Sequence, residues 1–212
     1  MAARRPSERQ AAQERRRRIV EGTRELLRER EAAKVIVIDI AQRAGVAPAT
    51  VYNLVGARDE VLRAVLDDAV DDLSARLEPA DPSRPSESIV SVLTTAAHVL
   101  RGDARAYRRA IGAMSDVGDR GWLTTTVGDV LEVRLTAVGA AFDGSIPLAR
   151  LAETINIGFR GVLISWSYGH VTDEELASRG EEHALHVLGT TARPHIAFDI
   201  KRRLIALAKE TP

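Results

Sequence analysis

Residues 39–62 read DIAQRAGVAPATVYNLVGARDEVL, and the order of residue types in this stretch decides the fold. Ile40, Ala41 and Ala44 carry a helical apolar spacing into Gly45. Glycine adopts the left-handed conformation that ends a helix, where a residue with a Cβ loses roughly 1 kcal/mol or more. Pro48 follows at once, suited to the first position of a new helix, where its missing N–H removes no hydrogen bond. One short helix therefore ends at Gly45 and a second runs from Pro48 to Leu54: a helix-turn-helix. The second helix is too short to be stable alone, so tertiary packing must hold it. Val46, Val51 and Val55 are expected to face inward, leaving Pro48, Ala49, Thr50, Tyr52 and Asn53 outside. Their hydroxyl and amide groups suit phosphate oxygens or base edges. An ordinary helical hairpin in a bundle would not need Tyr52 and Asn53 exposed beside Arg58.

Working outward, VIVIDIA resembles a strand through its β-branching, but no neighbouring run pairs with it and its spacing continues as helix. Residues 1–14 carry scattered charge, one proline and no apolar stripe, and read as a mobile basic arm. A helix is expected from Arg15, with Ile19, Thr23, Leu26, Leu27 and Arg30 on one face and the ERRRR block on the other. Such a block reads as readily as a solvated helix face. Downstream of DEVL, apolar residues from Val61 to Leu77 keep helical spacing until a Pro/Ser-rich loop at 79–88. Further helices are expected near 87–101, 103–114, 121–142, 147–169, 173–192 and 195–209. No glycine-rich phosphate loop and no alternation of strands occurs, so the chain reads as all-α.

The 212 residues, 45% hydrophobic, can bury one sizeable core or a core and a small satellite. The absence of cysteine removes disulfides, thiolate zinc sites and cysteine nucleophiles. No apolar run is long enough to span a bilayer and the N-terminus is charged, so a cytoplasmic protein without a membrane partner is expected. Thirty basic and thirty acidic side chains cancel overall. Their distribution is uneven: through Leu66 there are fourteen Lys and Arg against nine Asp and Glu, a balance of +5, leaving −5 for the remainder. Only Lys34, Lys201 and Lys209 are lysine. The arginines suit phosphates and guanine edges, although a compositional habit of the genome gives the same bias.

The stretches RRRIVEGTRELLRE and IDIAQRAGVAPATVYNLVGARDEVLRAVL closely resemble the N-terminal DNA-binding domain of TetR-family bacterial regulators over residues 15 to about 66. The ordered set IAQRAGV, TVY and DEVL carries the likeness, while the remaining two-thirds match only in outline. The resemblance implies a helix-turn-helix DNA-binding domain at 15–60 after the arm at 1–14. A helical-bundle effector-binding and dimerisation domain would follow at 61–212. It places Thr50 and Tyr52 on the phosphate backbone, Ala47, Pro48, Ala49 and Asn53 toward base edges, and Arg58 on a phosphate. The chain departs from the family at several positions. Ile36, Val37 and Ile38 stand where a hydroxyl cap is usual, Ala47 replaces a capping serine, Glu31 and Ala32 replace a glycine-aromatic pair, and Val55 replaces an aromatic. Losing such a cap costs about 1 kcal/mol and a phosphate hydrogen bond. DNA affinity is then expected to lean on Arg43, Arg58, Arg4 and Arg5, and to be salt-sensitive.

In the second domain, Thr154, Gly158, Gly161 and Ser165 share one helix face, and each interior glycine weakens a helix by about 1 kcal/mol against alanine. By resemblance this face, with helix 173–192, makes a homodimer; tight packing within one subunit is the alternative. Met114, Trp122, Phe142, Phe159 and Trp166 are candidate effector-pocket residues, although such side chains are more often plain core. Asn156 and Arg160, four apart, could orient a polar group of the effector. His170, His183 and His186 lack a carboxylate at telling spacing, so neither metal nor cofactor is expected. The reading is a ligand-responsive repressor that binds a pseudo-palindromic operator in double-stranded DNA as a homodimer and is released by an unknown small-molecule effector. An activator, an architectural DNA binder and an enzyme on a helical scaffold are the alternatives. No nucleophile–base pair supports the last.

Overall fold

The computed structural model describes residues 7–116 and 122–210, without the side chains of 116 and 122–126. In chain order its helices are α1 (Glu8–Glu29), α2 (Val37–Ala44), α3 (Pro48–Leu54), α4 (Arg58–Arg76) and α5 (Pro85–Arg101). They continue as α6 (Ala104–Asp116), α7 (Trp122–Ala137), α8 (Leu148–Ser167), α9 (Glu175–Gly189) and α10 (Pro194–Glu210). Short 3-10 turns lie at Ala32–Lys34 and Gly139–Ala141. No strand occurs among the described residues, which are all-α apart from one isolated bridge between Phe142 and Ala192.

The described residues fall into two compact units. The first holds α1–α3, α4 as far as Asp68, and α6; the second holds the rest of α4, α5 and α7–α10. The sequence suggested a single boundary near residue 60. Instead α6 joins the first unit, because its apolar face, Ala106, Tyr107, Ala110 and Ile111, is buried, and charges on it and just before it meet the end of α1 and the residues that follow. Arg109 donates to the Leu27 carbonyl at 2.9 Å and meets Glu31 at 2.7 Å, while Arg28 meets Asp103 at 2.6 Å. Ile19, Leu26, Leu27, Val35, Ile40, Val51, Leu62 and Val65 complete this core.

Two local expectations change. The first helix starts at Glu8, not Arg15, because Ser7 and Gln10 form a capping box: the Gln10 N–H donates to Ser7 Oγ at 3.3 Å, and the Ser7 N–H donates to Gln10 Oε1 at 2.8 Å. Residues 8–14 of the expected arm are therefore helical, and Arg4 and Arg5 lie outside the described residues. The VIVIDIA run does enter a helix, but through two extended residues, Val35 and Ile36, which follow a 3-10 turn. Val35, Val37 and Ile40 are buried, while Ile36 and Ile38 stand 49% and 63% exposed.

In the second unit, α9 packs on both α5 and α8, and α7 packs on α8. Leu93, Leu131, Ile155, Phe159, Leu163, Trp166, Leu176 and Leu188 form its core. The helix expected over 121–142 breaks after Ala137 into the 3-10 turn, and Asp143 N–H and Arg193 N–H bond to the Thr191 and Ala141 carbonyls at 2.9 and 3.0 Å.

Candidate nucleic-acid interface

Gly45 has φ 63° and ψ 43°. Its N–H donates to the Gln42 carbonyl at 3.3 Å and the Val46 N–H to the Ala41 carbonyl at 3.0 Å, the paired bonds of a Schellman turn. A Cβ there would find nothing closer than Arg18 Nη1 at 3.6 Å, so the requirement for glycine is conformational rather than spatial. Three residues on, Pro48 opens α3 with no side-chain cap from Ala47, and Ile36 likewise leaves α2 uncapped. Val51 anchors α3 at 0% exposure, whereas Val46 and Val55, expected inside, are half-buried.

Opposite that anchor, Ala47, Pro48, Ala49 and Asn53 are exposed, Thr50 is half-buried, and Tyr52 is 55% exposed. Among the described residues none of the Thr50, Tyr52 and Asn53 side chains has a hydrogen-bond partner. The helix thus presents two hydroxyls and an amide whose donors and acceptors are unused within the fold, on a short rigid platform.

The two arginines expected beside this face have other partners. Arg58 Nη2 donates to the Ala32 carbonyl at 2.6 Å, Nε to the Val35 carbonyl at 3.0 Å, and Nη1 to Asp59 at 2.8 Å. It ties the 3-10 turn to the start of α4, with these donors engaged within the fold rather than turned outward. Arg43 bridges Glu25 at 3.1 Å and Glu29 at 2.8 Å, linking α2 to α1. The hydrogen bond from Arg43 holds the Glu29 carboxyl below its usual range, and the two carboxylates raise Arg43 further. Its charge is neutralised within the fold. By contrast Arg18 is exposed, forms no ion pair among the described residues, and reaches the Gly45 turn. The sequence reading left it in the ERRRR block; its place nearly three turns from the N-terminal end of α1 and facing the turn becomes visible only in three dimensions.

Comparison with solved structures places this geometry. A TetR transcriptional regulator from Rhodococcus sp. RHA1 superposes with TM-score 0.62 at 23% identity, over 86% of this chain and 97% of that one. Full-length native TylP, a TetR regulator from Streptomyces fradiae, gives 0.60 at 20% identity, over 94% and 98%. The chain has the TetR-regulator fold. NalD, the secondary repressor of the MexAB-OprM multidrug efflux pump in Pseudomonas aeruginosa, gives 0.56 at 15% identity, over 86% and 99%. No family model matches the sequence, and no curated protein matches it.

Within this TetR fold the second unit redistributes the remaining candidates. Phe142, Phe159 and Trp166 are at most 3% exposed, and Trp166 Nε1–H donates to Asp173 at 2.8 Å, so these aromatics serve as core. Asn156 is buried with its amide 3.1 Å from where a Cβ on Gly128 would sit, and Arg160 is half-buried. Met114 is buried in the first unit, and the Trp122 side chain lies outside the described residues. None of these lines either of two cavities in the second unit. One, of about 500 Å³, lies among the start of α5, α9 and α10; the other, of about 530 Å³, lies between residues 74–80 and α7.

The small-residue row on α8 also divides. A Cβ on Gly158 would fall 2.0 Å from His183 Nε2, so this glycine is a notch for an α9 side chain within the same subunit. His183 Nε2 also lies 3.4 Å from the Thr154 carbonyl, and His186 Nδ1 lies 2.8 Å from the Glu182 carbonyl. Gly161 has nothing within 4 Å of its would-be Cβ, Thr154 is exposed and Ser165 half-buried. Ile157 and Tyr168, 46% and 54% exposed, flank Gly161 at helical spacing, with Ile164 half-buried between them. Among the described residues no three His, Asp or Glu gather as a metal site, and no helix is long and apolar enough to cross a membrane.

Proposed function

We propose that the chain is a DNA-binding transcriptional regulator, a homodimeric repressor of a pseudo-palindromic operator that a small-molecule effector releases. The observation that carries this reading is the outward face of α3, where Thr50, Tyr52 and Asn53 stand unpartnered on a helix fixed by the Gly45 turn. Tyr52 and Thr50 would hold phosphates, while Ala47, Pro48, Ala49 and Asn53 face base edges and Arg18 adds charge from α1. Repression is the sign that NalD carries in its own setting.

A twofold pair is what brings two such helices into successive major grooves, roughly 34 Å apart. The α8 stripe of Ile157, Gly161, Ile164 and Tyr168 supports a self-complementary apolar contact, with Gly161 allowing close approach. An effector then acts by binding better to a conformation whose reading heads are mis-spaced for the operator.

Selecting operators from a random DNA pool tests the reading. Wild type should enrich a pseudo-palindrome, Tyr52→Ala should lose most of that enrichment, and Ile157→Asp should give monomers in sedimentation with weakened half-site pairing. Equal enrichment by wild type and Tyr52→Ala would remove the reading.

A further inference from the structure

Arg134, in α7, keeps only 9% of its surface exposed. Its Nη2 donates to the Glu78 carbonyl, yet no Asp or Glu among the described residues comes within 4.0 Å of the guanidinium. The other well-covered arginines differ in this respect. Arg24, with its side chain 14% exposed, pairs with Glu21 and Asp68, and Arg109, at 17%, pairs with Glu31. A covered cation without a counter-charge weakens a fold, because the protein replaces its hydration incompletely. Burial accordingly lowers the basicity of Arg134 from its usual value.

Arg134 is also among the residues that line the cavity of about 530 Å³ between residues 74–80 and α7. Leu77, Pro79, Ala80, Val130, Val133 and Ala137 supply its apolar walls. Val133 is 71% exposed, an apolar side chain left facing water at the mouth. Glu78 and Asp129 also line the space, but both are exposed, so water screens their charge while Arg134 is shielded. The neighbouring cavity lacks this imbalance: its Arg84, Arg202 and Arg203 pair with Glu87, Asp199 and Glu181.

We infer that this cavity binds an amphipathic organic acid, the carboxylate on Arg134 and the apolar body against Leu77, Pro79, Val130 and Val133. The space is a groove open to solvent on one side, of a volume in the range of small-molecule sites, and one buried charge beside apolar walls fixes the orientation of what it holds. The guanidinium fork suits a carboxylate through paired N–H donors. As an effector site this rests on the regulator reading; as a binding site it does not.

The test uses the full chain with decanoate and 1-decanol, followed by calorimetry and thermal shift. Decanoate should bind saturably and at least tenfold more tightly than decanol, and Arg134→Gln should erase that preference while Arg134→Lys keeps part of it. Val133→Asp puts a carboxylate at the exposed mouth and should weaken decanoate binding more than decanol binding, which covers the case in which Arg134→Gln fails to fold. Equal binding of acid and alcohol, unchanged decanoate affinity in Arg134→Gln, or no saturable decanoate binding would overturn the inference. Operator release is scored in parallel. Acid binding without release upholds the site and removes its effector role, whereas acid binding by a chain that never selects DNA upholds the site and removes the regulator reading.

Discussion

Arg58→Ala separates a structural arginine from a phosphate-binding one. The guanidinium makes two bonds to main-chain carbonyls, at 2.6 and 3.0 Å, from a side chain 28% exposed. Bonds from a charged donor contribute about 1.5–3 kcal/mol each, and water reaching the vacated carbonyls returns part of that, so a net loss of about 2 kcal/mol is expected. With a urea slope of about 2 kcal/mol per molar, the midpoint should fall by about 1 M. A phosphate role predicts something different. Two lost contacts per dimer would make the salt dependence of log affinity shallower by about 1.8, so the affinity difference between 50 and 200 mM salt would shrink by about tenfold. The structural reading expects the urea midpoint to move and the salt slope to stay. Arg58→Lys should lose most of the same stability, because an ammonium cannot span both carbonyls as the fork does. Tyr52→Ala provides the opposite pattern, lost operator affinity with a stability change within about 0.5 kcal/mol. A shallower slope with an unmoved urea midpoint in Arg58→Ala would refute the reasoning.

Arg18→Ala should flatten the salt slope by about 1.8 per dimer and leave urea stability nearly unchanged, as measured by operator titration at several salt concentrations. Gly45→Ala meets no steric obstacle but holds alanine at φ 63°, so a loss of about 1–2 kcal/mol is expected in urea unfolding. Gly158→Ala puts a methyl 2.0 Å from His183 Nε2 and should displace that ring, visible as a shifted imidazole resonance and a lowered thermal midpoint, while adding His183→Ala should restore most of the midpoint. The Glu29 carboxyl titrates below its usual value of 4.5 when folded, so its contribution is present above that value and is lost as pH falls through the folded pKa. Urea midpoints between about pH 6 and 3 should therefore fall less steeply in Glu29→Gln than in wild type.

The parts of the fold legible in the sequence are those set by local backbone demands. Gly45 and Pro48 each have a conformational requirement that few other residues meet, and α2 ends and α3 begins where those requirements place them. The start of α1 carried an equally local sign, Ser7 with Gln10 three residues on, but the charged composition around it suggested an arm instead. The roles of the arginines were not legible. Arg43 finds its carboxylates 18 and 14 residues away, and Arg58 finds its carbonyls 26 and 23 residues away. Charge and exposed position alone make both look like phosphate ligands, and only the packing of α1 against α2 for Arg43, and of the 3-10 turn against the start of α4 for Arg58, shows that their donors are already engaged. The same reasoning separates the glycines of α8, since spacing puts Gly158 and Gly161 on one face while His183 fills one and nothing fills the other. Electrostatics then narrows the source of the proposed DNA affinity. If Arg43 and Arg58 are neutralised or engaged within the fold, the described cations left to meet phosphate lie along α1, at Arg18 and its neighbours, and beside α2 at Lys34, which is exposed. Removing Arg18 should therefore cost more operator affinity at low salt than removing Arg43, the reverse of the order that the sequence alone suggests.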